Sequence, residues 1–250
     1  MQREYFSVIL CIIMMNLVKY IAFCGAASRR GAEALVKNGR VFVNQCQKTD
    51  PAYRVMDSDI VTLDGKILQP QEKRNYVLLN KPRGYVCSSA DKHADLLAVD
   101  LIDIPGARLF SAGRLDKESQ GAIIFSDDGD FVNILTHPRY EVLKTYHVET
   151  AVPLDDNALQ RIRKGILDHG EMLHVISVER IGDKKYEFIL NEGKKREIRR
   201  MVAALNAKTL RLKRIAVGNL LLGPLPAGKW RELTPEERDQ ALMTPASISE

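Results

Sequence analysis

The run Ala122-Ile-Ile-Phe125 leaves this chain little freedom, because four apolar residues in succession after Gly121 read as a buried strand. A polar block, Gly113-Arg-Leu-Asp-Lys-Glu-Ser-Gln120, stands directly before it and is itself preceded by apolar Leu109 and Phe110. One guanidinium and one carboxylate, Arg114 and Asp116, are thereby pinned beside core strands. A charge held there incurs a desolvation cost that something must offset, which marks Asp116 for chemistry. A turn aspartate also caps its own backbone, and these four residues alone admit either use.

Charge supplies the second constraint. Between Gly193 and Arg214 lie nine Lys or Arg against one acid, Glu197, a local surplus of +8 that leaves the rest at −3 out of a total of +5. A solvated helix face mixes its signs. A segment this one-sided points to a polyanionic partner, since neutralising phosphates releases counterions and supplies affinity. Cys11, Cys24, Cys46 and Cys87 are scattered, with no metal-ligand spacing among them or the five histidines, so free thiols and no metal are expected. His137 and His147 read as structural or as contacts to that polyanion. The apolar stretch Tyr5–Cys24 is interrupted by Asn16 and Lys19, leaving an uninterrupted run too short to cross a bilayer, so no membrane association is expected.

Along the chain, residues 1–14 read as an extension outside the fold. Leu17, Val18 and Ile21 share a helix face ended by Gly25. Ser28 caps a second helix, Arg29 to Asn38, and Gly39 stops it. Val41–Asn44 and Ile60–Leu63 follow as strands, the latter entering an Asp64-Gly65 hairpin turn. Residues 15–68 thus form a small domain with Arg29, Arg30, Lys37 and Arg40 on its polar side. Residues 69–75, polar and containing Pro70, read as a linker. A larger domain, 76–238, opens with the strand Tyr76-Val-Leu-Leu79 and the loop Asn80-Lys-Pro-Arg-Gly84. Ile198, Met201, Val202 and Leu205 fall at helical spacing, and Asn206 is positioned for the left-handed stop. Leu210-Arg-Leu-Lys-Arg214 reads as a strand with apolar residues inward and basic ones outward. Residues 239–250 read as a loosely ordered tail.

Three blocks in this order, Gly113-Arg-Leu-Asp116, Leu135-Thr-His-Pro-Arg-Tyr-Glu-Val-Leu-Lys-Thr-Tyr-His-Val148 and Asn191-Glu-Gly-Lys-Lys-Arg-Glu-Ile-Arg-Arg-Met201, strongly resemble the pseudouridine synthases. Among these, the chain is most similar to the ribosomal family that carries a small N-terminal RNA-binding domain of the type first known from the fourth protein of the small ribosomal subunit. The resemblance covers about Met15 to Leu233. In one departure, Asn44-Gln45 stands where that domain has Asn-Gly. It implies an α+β fold: the small α+β RNA-binding domain, then a catalytic domain built on a mainly antiparallel sheet with flanking helices.

The implied reaction breaks the bond from ribose to the uracil nitrogen, turns the base, and rejoins the ribose to carbon 5. No atom enters or leaves, so no cofactor is implied. One carboxylate at the anomeric carbon serves, either by attacking it or by taking a ribose proton. The resemblance gives that role to Asp116, assigns Arg114 to the space vacated by the extruded uridine or to its backbone, and sets Tyr146 to stack on the flipped uracil. Arg199 matches the basic residue paired with the catalytic carboxylate, with Arg200 as the neighbouring alternative. Lys81, Lys194, Lys195, Arg196 and Arg200 join Arg29, Arg30, Lys37 and Arg40 as expected RNA contacts. The expected partner is ribosomal RNA, of the large subunit, in an assembly intermediate, with the protein a cytoplasmic monomer. A small-subunit enzyme, a non-catalytic RNA-binding assembly protein, and a glycosidase using Asp116 and Glu118 are the alternatives.

Overall fold

The apolar runs 76–79 and 122–125 become neighbouring strands at the centre of the larger of two compact units, Met1–Arg74 and Asn75–Glu250. The computed structural model describes residues 15–70, 73–87 and 96–243. The expected extension 1–14, residues 71–72 of the expected linker, and 244–250 of the expected tail lie outside the described residues.

The first unit packs helices α1 (Leu17–Phe23) and α2 (Arg29–Lys37) against strands β1 (Val41–Val43), β2 (Cys46–Lys48), β3 (Val61–Leu63) and β4 (Lys66–Ile67), ordered β2-β1-β3-β4. Ser28 caps α2 by accepting from the Gly31 amide at 3.0 Å. Ala32 and Val36 on the inner face of α2 meet Leu17, Ile21, Val41 and Val61 in one cluster. Asn44 and Gln45 both adopt left-handed backbone at the β1–β2 turn, so the tight hairpin forms even with Gln in the second position.

The second unit contains β5 (Tyr76–Lys81), β6 (Phe110–Ala112), β7 (Gln120–Ser126), α3 (Gly129–Thr136), β8 (Lys144–Thr150), α4 (Asp156–Lys164), the hairpin β9 (Ile166–Asp168) and β10 (Glu171–Leu173), then β11 (Ser177–Gly182), β12 (Lys185–Leu190), α5 (Glu197–Ala203), β13 (Thr209–Val217), β14 (Leu220–Leu221), β15 (Trp230–Glu232) and α6 (Pro235–Leu242). The main sheet runs β11-β12-β8-β13-β7-β5-β15, with β6 on β7 and β14 on β13. All its pairings are antiparallel except β7 with β13. One face presents Val77, Leu79, Ile123, Phe125, Tyr146, Val148 and Leu212, covered by α4 and α5 through Leu159, Ile162, Ile198 and Met201. The other presents Leu78, Ala122 and Ile124 to α3 and α6. Helices on both faces explain why β5 and β7 are apolar at consecutive positions instead of alternating.

Two readings of this region are corrected. The expected tail from 239 begins inside α6, where a capping box between Thr234 and Glu237 starts the helix and Ala241 is buried against the sheet. On β13, Leu210 is 42% exposed while Arg214 is 3% exposed. Residues 210, 212 and 214 share parity on a strand, so the face that buries Leu212 also buries Arg214. The bulge between Thr209 and Arg211 frees Leu210 from that face.

Candidate active site

The Gly-Arg-Leu-Asp block forms the loop from β6 into β7. Gly113 takes a left-handed conformation, φ 80°, that turns the chain out of β6. The loop is then tied along its length. The Leu115 amide donates to Cys87 Sγ at 3.4 Å, the Gly84 amide to the Lys117 carbonyl at 2.7 Å, and the Ser119 amide to the Asp116 carbonyl at 3.0 Å. Leu115 is buried in the core, which swings its neighbours Arg114 and Asp116 the other way. Arg114 is exposed and Asp116 half-buried.

Both residues line a cavity of about 650 Å³, within the usual range for small-molecule sites. Its other walls come from Cys87, Tyr146 on β8, Leu190 at the end of β12, Leu212 on β13, and residues 193–198 leading into α5. Tyr146 is buried among apolar residues and lines the cavity together with Leu190 and Leu212. Lys195 and Arg196 are exposed at the rim. Arg196 adopts left-handed backbone, φ 54°, at the start of α5, an unusual conformation for a residue with a side chain. No cap side chain is available there. Glu197, the first helical residue, accepts from the Lys194 amide just before the helix at 2.9 Å, bracing the turn into it, and its burial pushes its carboxyl above the ordinary value.

The third block separates two arginines that sequence left as alternatives. Arg199 turns toward the Asp116 loop, donating to the Glu118 carbonyl at 3.2 Å and to Ser119 Oγ at 3.4 Å. Burial pulls its guanidinium below the ordinary value, partly opposed by attraction to Glu118 and Asp116. Its contact ion pair is with Glu118, at 4.0 Å, so the direct pairing expected with Asp116 is replaced by contacts to the residues that follow it. Arg200 turns the opposite way, to Asp168 at 2.5 Å and Glu171 at 2.6 Å. It clamps the β9–β10 hairpin to α5, so its expected RNA contact is withdrawn.

Lys81 is likewise corrected. It is the last residue of β5, on the face of Val77 and Leu79, and is 0% exposed. Its Nζ donates to the Pro82 and Tyr85 carbonyls at 3.0 and 2.8 Å, and the exposed loop begins only after it. Lys194 is half-buried, bound to Glu192 at 3.0 Å and to the Met172 carbonyl at 2.6 Å. In the first unit Arg29, Arg30, Lys37 and Arg40 are all exposed, the last two paired with Glu33 and Asp64. Sequence reasoning missed Cys87 and Ser119 as neighbours of the site, and considered Glu118 only as a second acid beside Asp116, not as the partner of Arg199. It also missed Arg214, which strand parity would have turned inward.

Comparison with known proteins gives the family. A family model described as RNA pseudouridylate synthase matches residues 75–204, and one described as the S4 domain matches residues 15–61. The chain is 36% identical to an uncharacterized RNA pseudouridine synthase of Aquifex aeolicus, over 90% of this chain and 93% of that protein. It is 34% identical to ribosomal large subunit pseudouridine synthase B of Bacillus subtilis, over 90% and 94%. It also resembles a crystal structure of a pseudouridylate synthase with a TM-score of 0.67 and 29% identity, covering 91% of this chain and 99% of that one.

Proposed function

Since this chain belongs to the RNA pseudouridylate synthase family and is an isomerase of that kind, we propose that it converts a specific uridine of large-subunit ribosomal RNA to pseudouridine, with Asp116 as the carboxylate that works on the ribose. The observation that carries this reading is the convergence of Asp116, Arg114 and Tyr146 on one cavity with a basic rim of Lys195 and Arg196. Extruding a uridine costs a few kcal/mol of unstacking, which stacking on Tyr146 and occupation of the gap by exposed Arg114 offset. Asp116 either attacks carbon 1′ as the bond to nitrogen 1 breaks, or removes a ribose proton. In both cases the base rotates and carbon 5 bonds to carbon 1′, as the Asp116–carbon 1′ bond breaks on the first route or as Asp116 returns the ribose proton on the second, and the proton on carbon 5 is lost as nitrogen 1 gains one. Arg199 fixes the loop that carries Asp116 and adds positive charge beside it.

The first unit, residues 15–68, adds affinity through Arg29, Arg30, Lys37 and Arg40, and 69–75 connects it to the catalytic unit. The large subunit is preferred because the Bacillus subtilis relative bears that name. The substrate state is an assembly intermediate, in which the target strand is still accessible, and the enzyme works as a cytoplasmic monomer. Among the described residues no helix is long and apolar enough to cross a membrane.

The test is carbodiimide-treated primer extension across both ribosomal RNAs from cells with and without the gene, repeated with Asp116→Asn. A large-subunit stop that disappears in both the deletion and the variant is expected. A small-subunit stop would move the target, and a stop that survives Asp116→Asn would overturn the catalytic assignment.

A further inference from the structure

The turn Thr136-His-Pro-Arg-Tyr140 belongs to the second sequence block, yet the catalytic reading leaves it without a role. Its placement is set by α3. Leu135 near the end of that helix packs in the same cluster as Ala112 at the end of β6, and Thr136 Cγ2 lies 3.9 Å from where a Cβ on Gly113 would stand. Gly113 and Arg114 line the cavity, so the turn begins at the cavity's edge, beside the loop that carries Asp116.

Three planar side chains are gathered there. His137 ends α3 in extended backbone, and its Nδ1 accepts from the Arg139 amide at 3.2 Å. Pro138–Tyr140 forms one 3₁₀ turn, closed by exposed Glu141 in left-handed backbone, φ 49°. Tyr140 is half-buried and packs on the cluster that holds Phe131 and Leu135, which fixes its ring. Over that ring lies the Arg139 guanidinium, 4.5 Å from the centroid, also donating to the Tyr140 hydroxyl. The His137 ring stands nearly perpendicular to Tyr140, with centroids 6.3 Å apart. Arg139 and His137 are exposed, and among the described residues Arg139 forms no ion pair, neighbouring Glu141 included. Holding an arginine still costs rotamer entropy, and the contact with Tyr140 offsets that cost before any ligand arrives. A flat, cationic, pre-oriented surface is the result.

Resting on the function given above, we propose that the Arg139 guanidinium, backed by Tyr140 and flanked by His137, is a stacking shelf for an unpaired nucleotide next to the target uridine. Unpaired nucleotides are held by stacking on aromatic rings and guanidinium planes, a contact that every base can make. Extruding the target strips a neighbouring base of its stacking partner, and a shelf at the cavity's edge gives that base a new one.

The experiment measures, by fluorescence anisotropy, the affinity of the full chain for a single-stranded oligouridylate of about twelve nucleotides and for an abasic ribose-phosphate chain of the same length. The variants are Arg139→Lys, which keeps the charge and loses the plane, and Arg139→Ala, with Tm recorded for each. Arg139→Lys is expected to weaken oligouridylate binding about tenfold while binding the abasic chain within about twofold of wild type. Arg139→Ala should lose as much on the oligouridylate and slightly more than Arg139→Lys on the abasic chain. Tm should move by no more than a few degrees in either. Wild-type oligouridylate affinity in Arg139→Lys overturns the proposal, since a charge without a plane would then suffice. An equal loss on both probes, or a large fall in Tm, overturns it too, by making Arg139 a phosphate contact or a structural residue. Because no pseudouridine is read, an inactive enzyme would reject the function itself and leave these outcomes to decide the shelf.

Discussion

The second unit, besides exposed cations such as Lys195 and Arg196, carries buried positive charge of a kind that the basic residues of the first unit's second helix do not. In the first unit Arg29, Arg30, Lys37 and Arg40 stand in solvent on the first turn, last turn and exit of one nine-residue helix. In the second, Lys81 and Arg214 are fully or almost fully buried, while Arg199 and Arg200 are half-buried and committed to protein oxygens. Exposed cations act through a screened field, are interchangeable, and lose their effect in salt. Buried cations act at one place, through geometry set by sheet register, and are not interchangeable. Net charge alone cannot separate these roles, because both kinds count equally in the +5.

Several substitutions break or sharpen this contrast. Asp116→Asn should retain fold and RNA affinity yet lose about 1,000-fold or more in single-turnover rate, since the amide keeps the shape and drops the charge. Activity within tenfold of wild type would remove Asp116 from the reaction. Gly121→Ala should destabilise the catalytic unit by about 3 kcal/mol or more in denaturant titration, because Gly121 lies at φ 108° and its new methyl would strike the Arg214 backbone. Arg29→Glu with Arg30→Glu should leave stability nearly unchanged while lowering the slope of log affinity against log salt by about 1–2 in magnitude. Arg200→Met, by contrast, should lower Tm by releasing the β9–β10 hairpin and leave that salt slope where it was. A changed slope there would return Arg200 to the RNA surface.

The smallest effect concerns pH. Burial depresses the Lys81 ammonium to about 8 in the folded chain, against 10.5 unfolded. Below pH 8 both states are charged and the folded state bears the full desolvation cost. As pH rises from 8 to 10.5 the native state has released its proton while the unfolded state retains it, so stability increases over this window. The stability difference between wild type and Lys81→Met should therefore move in favour of wild type by roughly 2–4 kcal/mol between pH 7 and pH 10.5. A difference flat with pH would mean that Lys81 is not desolvated.

Much of the architecture was legible because local signals agreed with it. Ser28, Gly39 and the Asp64-Gly65 turn bound their elements as their chemistry demands, and the apolar runs at 76–79 and 122–125 could only be central strands. The Asp116 loop was legible as a charge trapped beside such strands. What stayed hidden depends on distant partners. Ser119 and Glu118 receive Arg199 from eighty residues away, and nothing near them announces it. Lys81 looked like a loop lysine because Pro82 follows it, yet it still belongs to the strand. The helix at 235–242 was missed because its apolar contribution is confined to a short face ending in Ala241 and Leu242, too brief to show a period.

The strand order has a consequence for how the enzyme comes into being. β13 lies in the middle of the sheet, between the β5–β7 half, made from residues 76–126, and the β8–β12 half, made from residues 144–190. During synthesis each half can form its own antiparallel pairs, but β8 keeps one edge bare along its length, and β7, whose second edge β6 covers at Ile124–Ser126, stays open at Gln120–Gly121 until residues 209–217 are available to fill the gap. Such edges are exposed to aggregation, and closing a parallel pair across more than ninety residues is slow. Because Leu212, which walls the cavity, lies on that same strand, a nascent chain acquires its tyrosine and its carboxylate well before the cavity they line is complete. Catalytic competence is thus a late folding event, tied to residues 209–217 leaving the ribosome.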